Sequence, residues 1–170
     1  MGFIPILSPE DFDDISTMLR ERKALVQCVC YVTARFVPGG STIRDKLYRP
    51  VSELLIGTCD THRSTPTQSL ALLQALIVLY AYAQAVPTAI QGSQTPSKDL
   101  LYWPIKTFTE AHAIQLFLHR SVEGLRAAVA SQEPQISSSY CYKMYTYWLW
   151  LYTMSHQYGS SIHSRASRLT

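Results

Sequence analysis

A chain of 170 residues is long enough for one domain with a proper core and too short to expect two. Hydrophobic residues make up 47% of it and charged residues only 16%, against a usual ~25% charged, which suggests that many surfaces are buried inside this chain or against a partner. A net charge of +3 offers no electrostatic case for nucleic-acid binding, and no acidic residue follows Pro134.

The N-terminal residues, MGFIPILSPEDF, have no basic leader and too short an apolar run for a signal peptide. Gly2 invites the myristoylation motif, but Ile6 stands where that motif needs Ser or Thr. Ser8-Pro9-Glu10-Asp11 has the order of a helix start, with a capping residue, a first-turn proline and carboxylates favoured by the helix dipole. Phe12, Ile15 and Leu19 give that short helix its apolar face, and Arg20, Arg22 and Lys23 gather at its end. From Ala24, the residues Leu25, Val26, Val29, Val32 and Phe36 fit a buried helical face, which Pro38-Gly39-Gly40 stops. Ser41 or Thr42 caps the next helix. Ile43, Leu47, Val51, Leu54 and Leu55 recur at helical spacing to Ile56, and Pro50 is expected to kink or restart the helix near Arg49.

Gly57 to Ser64 is a polar connector into Thr65–Ala85, TPTQSLALLQALIVLYAYAQA, around which the rest of the chain is organised. Thr65, Pro66 and Gln68 are a capping box with proline at the first helical position. Between Leu70 and Tyr82 nothing is charged, so apolar side chains occupy every side and the helix is a buried core element or a membrane span. Leu70 to Ile90 has the length to cross a bilayer. Gln74, Gln84, Pro87 and the lack of flanking basic residues argue for the core and against a membrane. Thr88 to Ser97 is a loop rich in turn residues. Leu100 to Leu118 reads as a helix with Pro104 in its first turn, and Ser121 to Ala130 continues helical until Glu133-Pro134. Tyr140 to Tyr158 is a last helix holding most of the aromatic weight, read as packing onto the central helix, and the tail 160–170 has no periodicity and is expected to be loosely ordered. No stretch alternates as a strand does. The fold class is all-α: an irregular multi-helix bundle around a central buried helix at about 65–85.

The residues offer little chemistry. Asp11, Asp13 and Asp14 could hold magnesium only with a second acidic cluster, which is absent, and a dipole-matched helix start explains them. His112 and His119 share a helix face but lack a third ligand at a recognised spacing. Cys28, Cys30, Cys59 and Cys141 do not have zinc spacing and read as free thiols, and no cofactor or metal site is expected in this chain. There is no P-loop, dinucleotide fingerprint or nucleophile elbow. The aromatic run has only Lys143 interleaved, too little charge for a base-stacking platform. Trp103, His112, Tyr145 and Trp148 are the candidate lining of an aromatic ligand pocket.

Several phrases, in order, resemble the fungal-specific transcription factor domain, the middle homology region found downstream of a binuclear zinc-cluster DNA-binding module. Cys30-Tyr31-Val32-Thr33-Ala34-Arg35-Phe36 is similar to its first core helix, and Ser69 to Tyr82 to its Ser-x-x-x-x-Gln-Ala-Leu helix. Trp103 followed by Ala111, Ala113, Leu116, Leu118, His119 and Arg120 resembles the Trp-containing helix that ends in Leu-Gly-Leu-His-Arg, with Phe117 at the place of the glycine. Tyr147 to Tyr158 and Gly159 are like the aromatic helix leading into Gly-Arg-Pro, although Ser160 follows here. The resemblance spans roughly Asp11 to Gly159. It implies that residues 1–159 are a partial copy of this regulatory domain, without the zinc-cluster module, so zinc belongs only to a missing upstream segment. It implies a non-enzymatic nuclear scaffold that senses a small metabolite or mediates homodimerisation and contacts the rest of the factor or other transcription regulators, with no direct nucleic-acid binding. It carries over no residue as an effector ligand. The rival reading is an all-helical small-molecule binder or enzyme built on the aromatic pocket. A deep polar cavity with convergent Asp or His groups favours the rival; a dry core, with His112 and His119 at helix–helix contacts, favours the scaffold.

Overall fold

The computed structural model describes residues 14–57, 65–85, 102–131 and 140–166. Every regular element among them is helical, which makes the chain all-α. The helices are α1 (Ile15–Glu21), α2 (Lys23–Thr33), α3 (Ser41–Gly57), α4 (Pro66–Ala85), α5 (Tyr102–Gln115), α6 (Ser121–Ala130) and α7 (Tyr140–Ala166), with short 3-10 turns at Ala34–Phe36 and Leu118–Arg120. The described residues divide into two compact units that part between His112 and Ala113, inside α5.

In the first unit α1 starts at Asp14, whose carboxylate accepts the backbone N–H of Thr17 at 3.0 Å. That is the N-cap role, filling one of the amides a helix start leaves open. The start expected at Ser8 to Asp11 lies outside the described residues, as do Asp11 and Asp13. On α2 the buried side chains are Leu25, Cys28 and Tyr31, followed by Ala34. This corrects the face read from the valines: Val26, Val29 and Val32 are half-buried and Phe36 is 74% exposed. A helix apolar on most sides gives no preference between neighbouring faces, and here the bulky Tyr31 takes the inner one. The chain then turns through Pro38-Gly39-Gly40, with Gly39 at φ +75°. Gly40 is buried, and a Cβ there would lie 1.9 Å from the Ala34 carbonyl oxygen, so only glycine lets the backbones approach this closely.

The Gly40 carbonyl accepts the Arg44 N–H at 2.9 Å, so Gly40, not Ser41 or Thr42, stands at the start of α3. Of the kink or restart expected near Arg49, the restart does not occur: the helix runs on past Pro50. Proline in a helix interior costs about 3 kcal/mol, but Val51 and Leu55 just beyond it are buried and hold the segment in place. Arg49 and Glu53 pair across it at 2.8 Å.

The capping box forms as expected: Gln68 N–H donates to Thr65 Oγ1 at 3.3 Å, and Thr65 N–H donates to Gln68 Oε1 at 3.2 Å. Past it, Ala71, Leu73, Gln74, Ala75, Leu76, Ile77, Leu79, Tyr80 and Tyr82 are all buried, which is apolar burial on every side of α4. By length and composition Pro66–Ala83 could cross a membrane, yet 56% of that window is buried inside the protein, as in a core helix. α2 packs against both α3 and α4. α5 meets α4 through the Tyr80 and Tyr102 rings, whose centroids are 5.6 Å apart, and buries Ile105 and Thr109.

In the second unit α6 packs on α7. Gly124 makes room for Cys141, since a Cβ on it would lie 2.7 Å from Cys141 Sγ. The buried stripe of α7 is Met144, Tyr147, Leu151 and Met154, at i, i+3, i+7 and i+10. Most of its aromatic weight lies off that stripe, with Tyr140, Tyr142 and Tyr152 exposed. α7 continues to Ala166, past the end expected at Tyr158, so residues 160–166 of the tail are helical. One glycine costs a helix only about 1 kcal/mol, and Gly159 does not end this one.

Candidate functional site

The helix expected over Leu100–Leu118 stops at Gln115 because Phe117 takes left-handed backbone angles, φ 56° and ψ 30°. Phe117 N–H donates to the Ile114 carbonyl at 2.9 Å, half of the hydrogen-bond pattern of a helix stop built on a left-handed residue. Glycine favours that position, because an L side chain there crowds the following carbonyl. Phe117 is the one non-glycine residue with positive φ among the described residues, and its ring is 63% exposed. In the resemblance to Leu-Gly-Leu-His-Arg, this is the residue that replaces the glycine.

His112 is 2% exposed on the inner side of α5, and its Nε2 lies 2.9 Å from the Ser69 carbonyl of α4. A carbonyl only accepts, so Nε2 carries a proton, while Nδ1 is buried without a hydrogen-bond partner. Beneath it, Thr109 Oγ1 donates to the Ile105 carbonyl at 2.7 Å. Such a histidine fastens two helices. His119 is exposed, its ring 6.1 Å from that of Trp148 and 6.2 Å from that of Phe117.

The four residues put forward as a pocket lining are placed as follows. Trp103 and His112 belong to the first unit, Tyr145 and Trp148 to the second. Trp103 is 60% exposed, its ring edge-on to Tyr102 at 5.3 Å. Tyr145 and Trp148 are half-buried. Glu110, near the histidines in sequence, forms an ion pair with Lys106 one turn away.

Two features were not legible as sites in the sequence. At the end of α4 the Tyr82 hydroxyl accepts from Arg35 Nη1 at 3.0 Å and from Arg44 Nη2 at 3.4 Å. The Arg44 guanidinium also lies 5.3 Å from the centre of the Tyr31 ring, within cation–π range. Arg35 and Tyr82 are 47 positions apart and no periodicity links them. Their effect is to tie the 3-10 turn after α2 and the start of α3 to the central helix.

The second is an open cleft of about 480 Å³ among α2, α3 and α4, lined by Lys23, Ala24, Gln27, Pro50, Glu53, Leu54 and Leu72. None of the four sequence candidates lines it. The helical spacing of Lys23 and Gln27, and of Pro50, Glu53 and Leu54, was the available signal, since i, i+3 and i+4 residues share a face.

Among the described residues, no group of three or more His, Cys, Asp and Glu could hold a metal ion. Cys28, Cys30 and Cys141 are free thiols. Cys28 is buried, and desolvation pushes its thiol from 9.0 up to about 12, leaving it protonated and a poor nucleophile at neutral pH. Cys59 lies outside the described residues. At the start of α1 the hydrogen bonds from the Thr17 hydroxyl and backbone hold the Asp14 carboxyl below its usual value. A structural cap explains that shift without a ligand. Set against known proteins, no family model, curated protein or solved structure matches this chain.

Proposed function

We propose that this chain is a non-enzymatic regulatory domain of the fungal transcription factor type, a partial copy that works in the nucleus and whose zinc cluster belongs to a segment upstream of it. The reading rests on four phrases in family order. The observation that carries it furthest is Phe117: the one residue interrupting the Leu-Gly-Leu-His-Arg phrase sits in the backbone conformation that glycine prefers. A position that demands left-handed angles is where such a family would keep a glycine, and this chain retains the geometry while changing the side chain.

A second support is His112. Its bond to the Ser69 carbonyl puts a buried histidine at a helix–helix contact, one half of the arrangement that favours a scaffold over a catalytic pocket, His119 being exposed. The role assigned is transmission: helices held to α4 shift an attached activation segment between restrained and released states, through dimerisation or a small effector. The test is a tethered reporter. Fused between a heterologous DNA-binding module and an activation domain, the chain changes reporter output several-fold relative to the same fusion with an inert linker. The result against the proposal is equal output at matched protein level.

A further inference from the structure

The open cleft among α2, α3 and α4 has the volume of a small-molecule site, and the regulatory reading assigns no residue of it to an effector. Its volume of about 480 Å³ lies inside the ~300–1,000 Å³ range of ligand clefts. Ala24, Pro50, Leu54 and Leu72 give it apolar walls, and Lys23, Gln27 and Glu53 supply a few polar groups. Pro50 breaks a local rule here. A mid-helix proline lacks the N–H its neighbours use, so it adds an apolar ring to the cleft and no donor. Positions where the sequence works against its own local structure are where function is to be sought.

Charge decides the ligand class. The Glu53 carboxylate is engaged by Arg49 Nε at 2.8 Å, so that pair leaves little net charge at the rim. Lys23 has no ion-pair partner among the described residues, and Gln27, one turn along the same face of α2, adds a side-chain amide donor. One unanswered cation repels an amine and under-compensates a phosphate dianion, and over an apolar floor it suits a single negative charge. We propose that the cleft binds a small monocarboxylic acid with an apolar body. Lys23 and Gln27 hold the carboxylate, and the hydrocarbon lies on Ala24, Pro50, Leu54 and Leu72.

The proposal stands on the cleft alone, so the tethered reporter can fail without touching it. The full chain, labelled with ¹⁵N, is titrated with 4-phenylbutyrate and, in parallel, with 4-phenyl-1-butanol, which has the same apolar body and no charge. The expected result is saturable amide shifts centred on Ala24, Gln27, Leu54 and Leu72, with the acid binding about threefold more tightly than the alcohol, as an exposed ion pair allows. Lys23→Gln removes that advantage and leaves the alcohol unaffected, whereas Arg126→Gln on α6 changes neither. Shifts that are absent or scattered, equal affinity for acid and alcohol, or an unchanged acid affinity in Lys23→Gln would each overturn it. Should Lys23→Gln fail to fold, the acid–alcohol comparison on the unaltered chain still decides.

Discussion

Replacing Phe117 by glycine and by alanine isolates the backbone cost at the end of α5. An L-residue in the left-handed region gives up about 1–2 kcal/mol, and glycine escapes this. Glycine in turn loses roughly 0.5–1 kcal/mol more chain entropy on folding. The Phe117 ring is 63% exposed and meets the His119 ring at 6.2 Å, so its removal forfeits little burial and one aromatic contact of about 0.5 kcal/mol. The balance places Phe117→Gly between about 0.5 kcal/mol less and about 1 kcal/mol more stable than the unaltered chain. Phe117→Ala loses the ring and keeps the strain, so it falls about 1 kcal/mol below the glycine variant. Urea denaturation followed by far-ultraviolet circular dichroism reads this ordering as a shift in midpoint at a common slope. In an ordinary helix interior alanine beats glycine by about 1 kcal/mol. Alanine equal to or more stable than glycine at position 117 would show that the left-handed turn is absent, and the strongest support for the family resemblance would go with it.

Other outcomes follow from the same structure. Thr65→Ala breaks the capping box of α4 and costs about 1 kcal/mol in urea midpoint analysis. Gly40→Ala drives a methyl group into the Ala34 and Val37 carbonyls and costs about 2–3 kcal/mol, seen as a lowered melting temperature. Native alkylation at pH 8, mapped by mass spectrometry, labels exposed Cys30 and half-exposed Cys141 and spares Cys28 until the chain is unfolded. The Cys28 thiol is raised on folding, so its contribution to stability is complete below its ordinary 9.0 and is lost as pH climbs from there towards about 12. Cys28→Ala, compared with the unaltered chain by urea melts across that interval, shows a shallower alkaline decline.

What could be read in advance was what neighbouring residues decide among themselves. Thr65 and Gln68 are three positions apart and form their box regardless of what packs later, and the uncharged run from Leu70 to Tyr82 left two readings, a buried core helix or a membrane span, between which Gln74, Gln84 and the lack of flanking basic residues favoured the core. The errors fall where two choices were locally equal. On α2 the valines and the Leu25, Cys28 and Tyr31 stripe are both apolar, and the choice between them was made by α3 and α4. Pro50 breaks a helix by itself, yet Val51 and Leu55 hold α3 together through it. The end of α5 turned on one φ angle at Phe117, a residue whose side chain gives no warning of it. The cleft draws on three helices spread from Lys23 to Leu72 and could not be assembled from spacing along any one of them. Arg35, Arg44 and Tyr82 were likewise brought together only by packing. The aromatic candidates Trp103, His112, Tyr145 and Trp148 were chosen by residue type, two of them in each unit.

The claim that this is a regulatory domain of the fungal transcription factor type is tested most directly by reading the transcript in frame upstream of Met1. The account predicts six cysteines with binuclear zinc-cluster spacing, joined to this segment in one polypeptide. An in-frame stop codon directly before Met1, with no such cluster anywhere in the transcript, would contradict it.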